Sequence, residues 1–252
     1  MIAGKDHESA RDFFRGRGYS GARVLSQQPM SLGKRAWFGF SWLALGVFLA
    51  GLNRLKITGV EYVPAGGGVL LAANHLSIFD TLLIPWVNIA KVQLEVVWAP
   101  AKAELFAIPI INHIIASWGA FPVQRSGRDV RAVRHLVELM RREKVMLFPE
   151  GTRSADGWLG RGNRVVGKLI YLARPTVIPT AILGSDRLLA KGRLMPRVFS
   201  KLEVRFGPPL DLERYYAAED TKATAEAIMF CVMRSIARLR GEEAIWLKRF
   251  PA

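Results

Sequence analysis

His75 and Asp80 are the pair whose residue types and spacing point most directly to chemistry. The apolar run VLLAAN (69–74) predicts a strand, and Ser77 with Asp80 resembles a capping box that opens the helix FDTLLIPWV (79–87). Because the first turn of that helix folds back toward the strand end, the carboxylate comes within reach of the imidazole. A carboxylate on one ring nitrogen leaves the other nitrogen to take a proton from a hydroxyl, so the pair predicts a general base. The alternative is that Asp80 only caps the helix and His75 is a hydrogen-bonded turn residue.

A second polar cluster follows the apolar run VMLFP (145–149), which also predicts a strand. It consists of Glu150, Gly151, Thr152 and Arg153. Open α/β sheets bind ligands at the carboxyl ends of their strands. Arg153 can hold a phosphate with two donors, and Gly151 lets backbone N–H groups approach an anion. Glu150 can hydrogen-bond a hydroxyl or steady the arginine. The cluster therefore predicts a site for a phosphorylated ligand.

Short β-rich runs alternate with helical periods along most of the chain. The strand-like runs are 69–74, 95–99, 118–123, 145–149, 177–183 and 202–207, and the helical ones are 129–143, 164–174 and 222–240. This alternation predicts an α/β fold with a mixed, largely parallel central sheet flanked by helices. We expect residues 1–56 to form a basic N-terminal region with a membrane-inserting helical motif, and residues 57–252 to form the catalytic domain.

The segment 36–53 contains no charged side chain and begins with several aromatic residues. As a helix it would be roughly 27 Å long, which is slightly less than a hydrocarbon core of about 30 Å. Lys34 and Arg35 precede it, while Arg54 and Lys56 follow it, so the distribution of basic residues assigns no orientation. This pattern favours insertion into one leaflet over a crossing. A buried core helix is the alternative.

The sequence carries 36 Lys and Arg against 21 Asp and Glu, which gives a net charge of +15 and a surface that attracts anions. Nucleic acid, anionic lipid and phosphorylated substrates would all satisfy that charge. Cys231 is the only cysteine, which excludes a disulfide framework and a cysteine-based zinc site and fits a location facing the cytoplasm. No H-E-x-x-H, Walker loop or G-x-G-x-x-G motif occurs, so we expect no catalytic metal and no nucleotide cofactor.

Together, NHLSIFD (74–80) and FPEGTRS (148–154) resemble the signatures of the glycerolipid acyltransferase family, which are H-x4-D and F-P-E-G-T-R-S. This family comprises the lysophosphatidate acyltransferases and their glycerol-phosphate relatives. The resemblance covers roughly residues 55–210. It implies transfer of a fatty acyl group from acyl-CoA or an acyl carrier protein to the free hydroxyl of lysophosphatidate, which makes phosphatidate. The thioester is then a co-substrate, and we expect no cofactor beyond this acyl carrier.

The resemblance also implies roles for individual residues. His75 would be the general base and Asp80 would hold it in position. Further roles would be phosphate binding by Lys102, Arg125 and Arg153, substrate positioning by Asn74, Glu150, Gly151 and Thr152, and a place near the acyl-chain pocket for Pro179. The expected location is the cytoplasmic face of the cell membrane, as a peripheral or monotopic protein with no nucleic-acid partner.

Two kinds of alternative stay open. The acceptor could be glycerol 3-phosphate, another lysophospholipid or a glycolipid, since one sequence does not expose the shape of a pocket. The protein could instead be a basic peripheral membrane adaptor or a nucleic-acid-binding protein. Neither of these two classes accounts for the polar clusters at two strand ends.

Overall fold

The computed structural model describes residues 32–91, 96–123, 130–189, 193 and 195–251. They divide into two units, with residues 32–41 in the first and Trp42 onward in the second. Within these ranges, every helix is too short or too polar to cross a membrane. The predicted boundary between residues 56 and 57 stays a prediction.

Seven strands form one sheet in the order β1-β7-β6-β2-β5-β3-β4. Their bounds are β1 Arg54–Thr58, β2 Val69–Ala73, β3 Val97–Lys102, β4 Ala120–Val123, β5 Lys144–Leu147, β6 Thr176–Leu183 and β7 Lys201–Phe206. β6 and β7 are antiparallel, and the other neighbouring strands are parallel. The prediction of a mixed, largely parallel sheet is confirmed.

Helices connect and cover these strands. They are α1 Leu32–Gly46, α2 Asp80–Lys91, α3 Pro109–Ser117, α4 Val130–Arg142, α5 Arg164–Ala173, α6 Ser185–Leu188, α7 Glu213–Tyr216, α8 Lys222–Arg240 and α9 Glu243–Arg249. Short side chains begin two of the longer ones: the Asn163 side chain accepts from the amide of Val165 at α5, and Thr221 accepts from the amide of Thr224 at α8. α8 ends at Arg240, and Gly241 follows it as the cap with a φ of 79°, in the left-handed region that favours glycine.

The centre of the sheet is fully buried. All five residues of β2 are buried, and β5 and β6 flank this strand in the middle of the sheet. α8 packs against α5 and β6, and its buried residues include Ile228, Val232 and Ile236. After α8 the chain turns back, so that Trp246 of α9 is only 3% exposed. The C-terminal residues are thus part of the core.

The segment 36–53 is not one α-helix. α1 ends at Gly46, and a π-helical turn, Val47–Gly51, follows it. Asn53, 2% exposed, donates from Nδ2 to the Phe48 carbonyl at 2.6 Å and accepts at Oδ1 from the Ser200 amide at 2.9 Å. These two hydrogen bonds fix the π-helical turn to Ser200, the residue that precedes β7.

Candidate active site

The two motifs lie side by side in the structure. β2 and β5 are neighbouring parallel strands, so their carboxyl ends meet at one edge of the sheet. The amide of Ser154 donates to the His75 carbonyl at 2.8 Å. The Phe148 ring stacks on the imidazole, with centroids 3.9 Å apart and planes 11° from parallel. The turns after the two strands therefore form one site.

His75 and Asp80 are in direct contact. Nδ1 of the imidazole lies 3.0 Å from Oδ2 of the carboxylate, and the two side chains are 15% and 0% exposed. A carboxylate acceptor at Nδ1 favours the tautomer with the proton on that atom, which leaves the Nε2 lone pair available. This is the arrangement that a general base needs.

Backbone amides hold the Asp80 carboxylate in place. Oδ2 also accepts from the amides of Leu76 at 2.6 Å and Ser77 at 2.7 Å. Asp80 is the first residue of α2, where the partial positive charge of the helix N-terminus favours an anion. Asp80 therefore fixes the turn and orients the imidazole at the same time. Capping the helix and holding His75 are compatible roles for this residue.

Glu150 connects the turn to the histidine backbone. Its Oε1 accepts from the His75 amide at 3.1 Å, and its Oε2 accepts from the Gly160 amide at 2.9 Å. Burial raises the pKa of this carboxyl above its usual value, while the two amide donors and the nearby charges of Arg240 and His75 oppose the rise. With both oxygens bonded to main chain, Glu150 steadies His75 rather than Arg153.

Gly151 and its neighbours form an exposed turn. Gly151 has a φ of 71°, and a Cβ added there would meet no atom within 4 Å, so backbone conformation and not space requires glycine. Its amide already donates to the Phe148 carbonyl at 2.9 Å. Thr152 is exposed and Arg153 is half-buried, and the Arg153 side chain makes no hydrogen bond or ion pair with the part of the chain described. The guanidinium is therefore available to an anion.

Asn74 is buried and bonded to β6. Its Nδ2 donates to the Ile182 carbonyl at 2.9 Å, and its Oδ1 accepts from the Ile182 amide at 2.7 Å. Its exposure is 0%, so it touches no solvent-accessible space. The predicted substrate-positioning role of Asn74 can act only through the strand end that carries His75.

The remaining predicted residues are more scattered. Lys102 is exposed at the end of β3, which hydrogen-bonds β5 only at Val97 and Trp98 and pairs with β4 from Ala99 onward. β3 and β5 therefore separate after Trp98, and this gap lies between Lys102 and the turn that carries His75. Arg125 lies outside the described residues. Pro179 is buried within β6, opposite Ala72, and its predicted place near an acyl chain stays a prediction.

Some residues of the site were not predicted from the sequence. Gly160 binds Glu150, and three residues near the C-terminus, Arg240, Glu242 and Trp246, bind the segment that leads to Gly160. Their partners are mainly backbone atoms about 80 residues away, so no local pattern signals them. Among the described residues, no group of three or more His, Cys, Asp or Glu side chains could hold a metal ion.

The chain is similar to known proteins in both sequence and fold. The sequence model of the Acyltransferase family matches residues 54–183, just over half of the chain. The chain therefore belongs to the acyltransferase family. One relative is a 1-acyl-sn-glycerol-3-phosphate acyltransferase of Bacillus subtilis, 27% identical over 193 residues that cover 73% of this chain and 89% of the relative.

Other similarities are more distant or partial. Chloroplastic 1-acyl-sn-glycerol-3-phosphate acyltransferases of Arabidopsis thaliana and Brassica napus are 24% and 25% identical over 60% of this chain. The matches span only 41% and 43% of those two proteins. The crystal structure of the 1-acyl-sn-glycerophosphate (LPA) acyltransferase PlsC of Thermotoga maritima superposes with a TM-score of 0.60 at 22% identity, and covers 92% of this chain and 93% of that one. The two proteins share a fold.

Proposed function

We propose that this enzyme transfers a fatty acyl group from acyl-CoA or acyl carrier protein to the free hydroxyl of lysophosphatidate, making phosphatidate for phospholipid synthesis. The observation that carries the proposal is the 3.0 Å contact between His75 and the buried Asp80, beside an arginine with no partner in the described chain. Family membership supports the reaction type. The names of the relatives support the acceptor.

His75 acts as the general base in this proposal. Nε2 takes the proton of the acceptor hydroxyl as its oxygen attacks the thioester carbonyl carbon, and a C–O bond forms. The tetrahedral intermediate then collapses, the C–S bond breaks, and the imidazolium returns the proton to the leaving thiolate. Asp80 stabilises the imidazolium between these steps. The reaction balances without an acyl-enzyme.

Backbone amides can stabilise the negative oxygen of the intermediate. The amides of Leu76, Ser77 and Gly151 already have acceptors. Within the described chain, those of Ile78 and Thr152 donate no hydrogen bond. These two amides, one from each turn, are therefore the donors that we assign to the oxyanion.

Cations bind the acceptor phosphate in this proposal. Arg153 follows the turn that packs on His75, and its planar fork suits two phosphate oxygens. Lys102 is exposed on the far side of the divergence between β3 and β5, and Arg125 is the third predicted cation. Holding the phosphate places the hydroxyl at Nε2, a positioning effect that can lower the barrier by several kcal/mol.

The direct test is thiol release from acyl-CoA by the purified protein with lysophosphatidate as acceptor. We expect His75→Ala to lower kcat by about 10²–10⁴-fold, the usual contribution of a general base. His113→Ala changes an exposed histidine of α3 and serves as the matched control. Turnover by folded His75→Ala at the wild-type rate would remove the general-base assignment.

The same assay separates the alternatives. Glycerol 3-phosphate, other lysophospholipids and a glycolipid as acceptors, each with acyl-CoA and acyl carrier protein donors, would identify another substrate by a higher kcat/KM. A protein that acts only as a membrane adaptor would release no thiol with any acceptor. A nucleic-acid-binding protein would bind duplex with an affinity that falls steeply with salt.

Peripheral attachment to a phospholipid membrane is part of the proposal. Several large apolar side chains are exposed in and beside the π-helical turn: Leu43 60%, Val47 55%, Leu52 41% and Phe199 75%. The Phe199 amide donates to the Leu52 carbonyl at 2.9 Å, so two of these segments are neighbours. Exposed basic side chains of β1 adjoin them, and an apolar surface with cations suits an anionic bilayer.

Vesicle flotation tests this attachment. Val47→Ser should weaken partitioning into vesicles that contain phosphatidylglycerol by about tenfold, because a valine side chain contributes roughly 1.5 kcal/mol when buried. Val165→Ser is the matched control, since Val165 of α5 is exposed to a similar degree, 53%. Equal loss in both variants, or in neither, would refute the assignment of this surface.

A further inference from the structure

The position of Glu150 depends on Gly160. Oε2 of Glu150 accepts from the Gly160 amide, its single donor among the described residues, and Oε1 accepts from the His75 amide, so the carboxylate bridges the two backbones. A Cβ at Gly160 would lie 3.1 Å from Oε2, which is tighter than most such contacts. The segment 157–160 must therefore be held precisely enough to keep the amide of Gly160 on the carboxylate.

Three residues near the C-terminus hold that segment. Arg240 donates from Nη2 to the Gly157 carbonyl at 2.7 Å. Glu242 accepts from the Leu159 amide at 3.2 Å. Trp246 donates from Nε1 to the Gly160 carbonyl at 3.1 Å. We name Arg240, Glu242 and Trp246 the C-terminal clamp.

The clamp is buried and internally bonded. Arg240 and Glu242 form an ion pair with 2.6 Å between Nε and Oε1, and their side chains are 7% and 10% exposed. Trp246 packs between Phe230 and Phe250. A bonded pair shielded from water has few alternative geometries, so it can fix the segment firmly.

Arg240 also reaches the other side of the site. Its Nη1 lies 3.4 Å from the Ile182 carbonyl, which accepts from Asn74 beside His75 as well. The positive charge of Arg240 lowers the pKa of Glu150, opposing the rise that burial causes. Arg240 of the clamp therefore reaches both supports of His75. It shares an acceptor with Asn74, which precedes His75 in the chain, and its charge acts on Glu150, which accepts from the His75 amide.

We propose that the C-terminal clamp positions His75 for acyl transfer, through Gly160 and Glu150. The clamp residues are positioning residues, since they contact main chain and not substrate. They lie outside the family match at 54–183. The catalytic part of this inference rests on the proposed function, whereas the mechanical link from the clamp to His75 does not.

Trp246→Phe removes the indole N–H and keeps an aromatic ring, so it tests the bond to Gly160. We expect kcat for lysophosphatidate to fall about tenfold with KM unchanged. Arg240→Lys keeps the charge without the guanidinium fork, and it tests the clamp through the bond to Gly157 if the first variant unfolds. Arg238→Met is the matched control, because Arg238 is on the same helix and pairs with Glu243 at the surface.

A double-mutant cycle distinguishes positioning from general stabilisation. If the clamp acts through Glu150, Trp246→Phe should lower kcat much less in a Glu150→Gln background. A merely structural role would lower kcat or the melting temperature equally in both backgrounds. Equal effects in both backgrounds would overturn the proposal.

Amide hydrogen exchange provides a measurement that does not need turnover. Peptides that contain His75 and Gly160 should exchange at least about tenfold faster in Trp246→Phe, and should not change in Arg238→Met. Unchanged exchange would overturn the link, and faster exchange with an unchanged kcat would overturn its role in catalysis. A wild-type protein without turnover would refute the proposed function, while exchange would still decide whether the clamp reaches His75.

Discussion

Asp80→Asn isolates the charge that the buried carboxylate contributes to catalysis. Asparagine has nearly the same shape, and its carbonyl oxygen can keep accepting from the amides of Leu76 and Ser77. The negative charge beside the imidazolium is lost. We therefore expect a protein that folds but transfers acyl groups slowly.

The distance between the two groups gives the magnitude. Unit charges 3.0 Å apart attract by about 5.5 kcal/mol at an effective dielectric constant of about 20. Each tenfold change in rate corresponds to about 1.4 kcal/mol, so loss of the whole attraction would lower kcat by about 10⁴-fold. Water near the 15% exposed imidazole reduces the effect, so we expect a fall of about 10³–10⁴-fold.

The assay is the initial rate of thiol release at saturating lysophosphatidate and acyl-CoA, with thermal unfolding of each variant as the check on folding. Asp220→Asn is the matched control, since Asp220 is an exposed carboxylate that pairs with Lys168 at the surface. If folded Asp80→Asn keeps kcat within tenfold of wild type, the imidazolium does not depend on this carboxylate, and the reasoning from the contact is wrong.

Three further substitutions test the neighbouring turn. Arg153→Met should raise KM for lysophosphatidate at least about tenfold, because a charge-assisted hydrogen bond contributes about 1.5–3 kcal/mol. Its KM for acyl-CoA should stay constant, and an unchanged acceptor KM would contradict phosphate binding by Arg153. Gly151→Ala should lower the free energy of unfolding by about 1–2 kcal/mol in urea titrations, because φ is 71°. Gly66→Ala is its control, as a Cβ there also meets no atom within 4 Å and φ is not in the left-handed range; equal effects would show that the backbone conformation is not the cause. Glu150→Gln tests the raised pKa of Glu150. The folded protein binds this proton more readily than the unfolded chain, so the stability of wild type relative to Glu150→Gln should fall as pH rises above the usual pKa of 4.5. If the unfolding free energy of wild type relative to Glu150→Gln stays constant or increases as pH rises above 4.5, the pKa of Glu150 is not raised in the folded protein.

The sequence predicted the contact between His75 and Asp80 because it is local. Five positions separate them, one turn carries both, and Asp80 begins the helix that forms from this turn. The buried strands were also readable, since β2 is a continuous apolar run and β5 is apolar from Val145 onward, and the carboxyl ends of such strands need polar residues to meet water or ligand.

The edge strand β1 was not predicted. Its residues Arg54–Thr58 alternate between exposed and half-buried positions, because only β7 covers one side of it. The basic residues of an edge strand resemble charges that flank a membrane segment, which is the environment that the sequence pattern predicts for Arg54 and Lys56. The local sequence pattern does not distinguish an edge strand from the flank of a membrane segment.

The bonds of Glu150 could not be predicted either. Its partners are backbone amides at His75 and Gly160, and every residue except proline offers such a donor, so residue type carries no information about them. The same holds for Arg240, whose acceptor at Gly157 is 83 positions away. Only the folded chain shows which amide or carbonyl comes within reach.

The junction at Asn53 has a mechanical consequence. Because this side chain bonds forward to Ser200 and backward to Phe48, the π-helical turn cannot swivel about the first strand without breaking hydrogen bonds. If this turn inserts into a bilayer, it would therefore attach the sheet rigidly to the bilayer and not through a flexible segment. A change in lipid packing that tilts the turn would tilt the sheet with it. The orientation of His75 relative to an acceptor in the bilayer would then change as well.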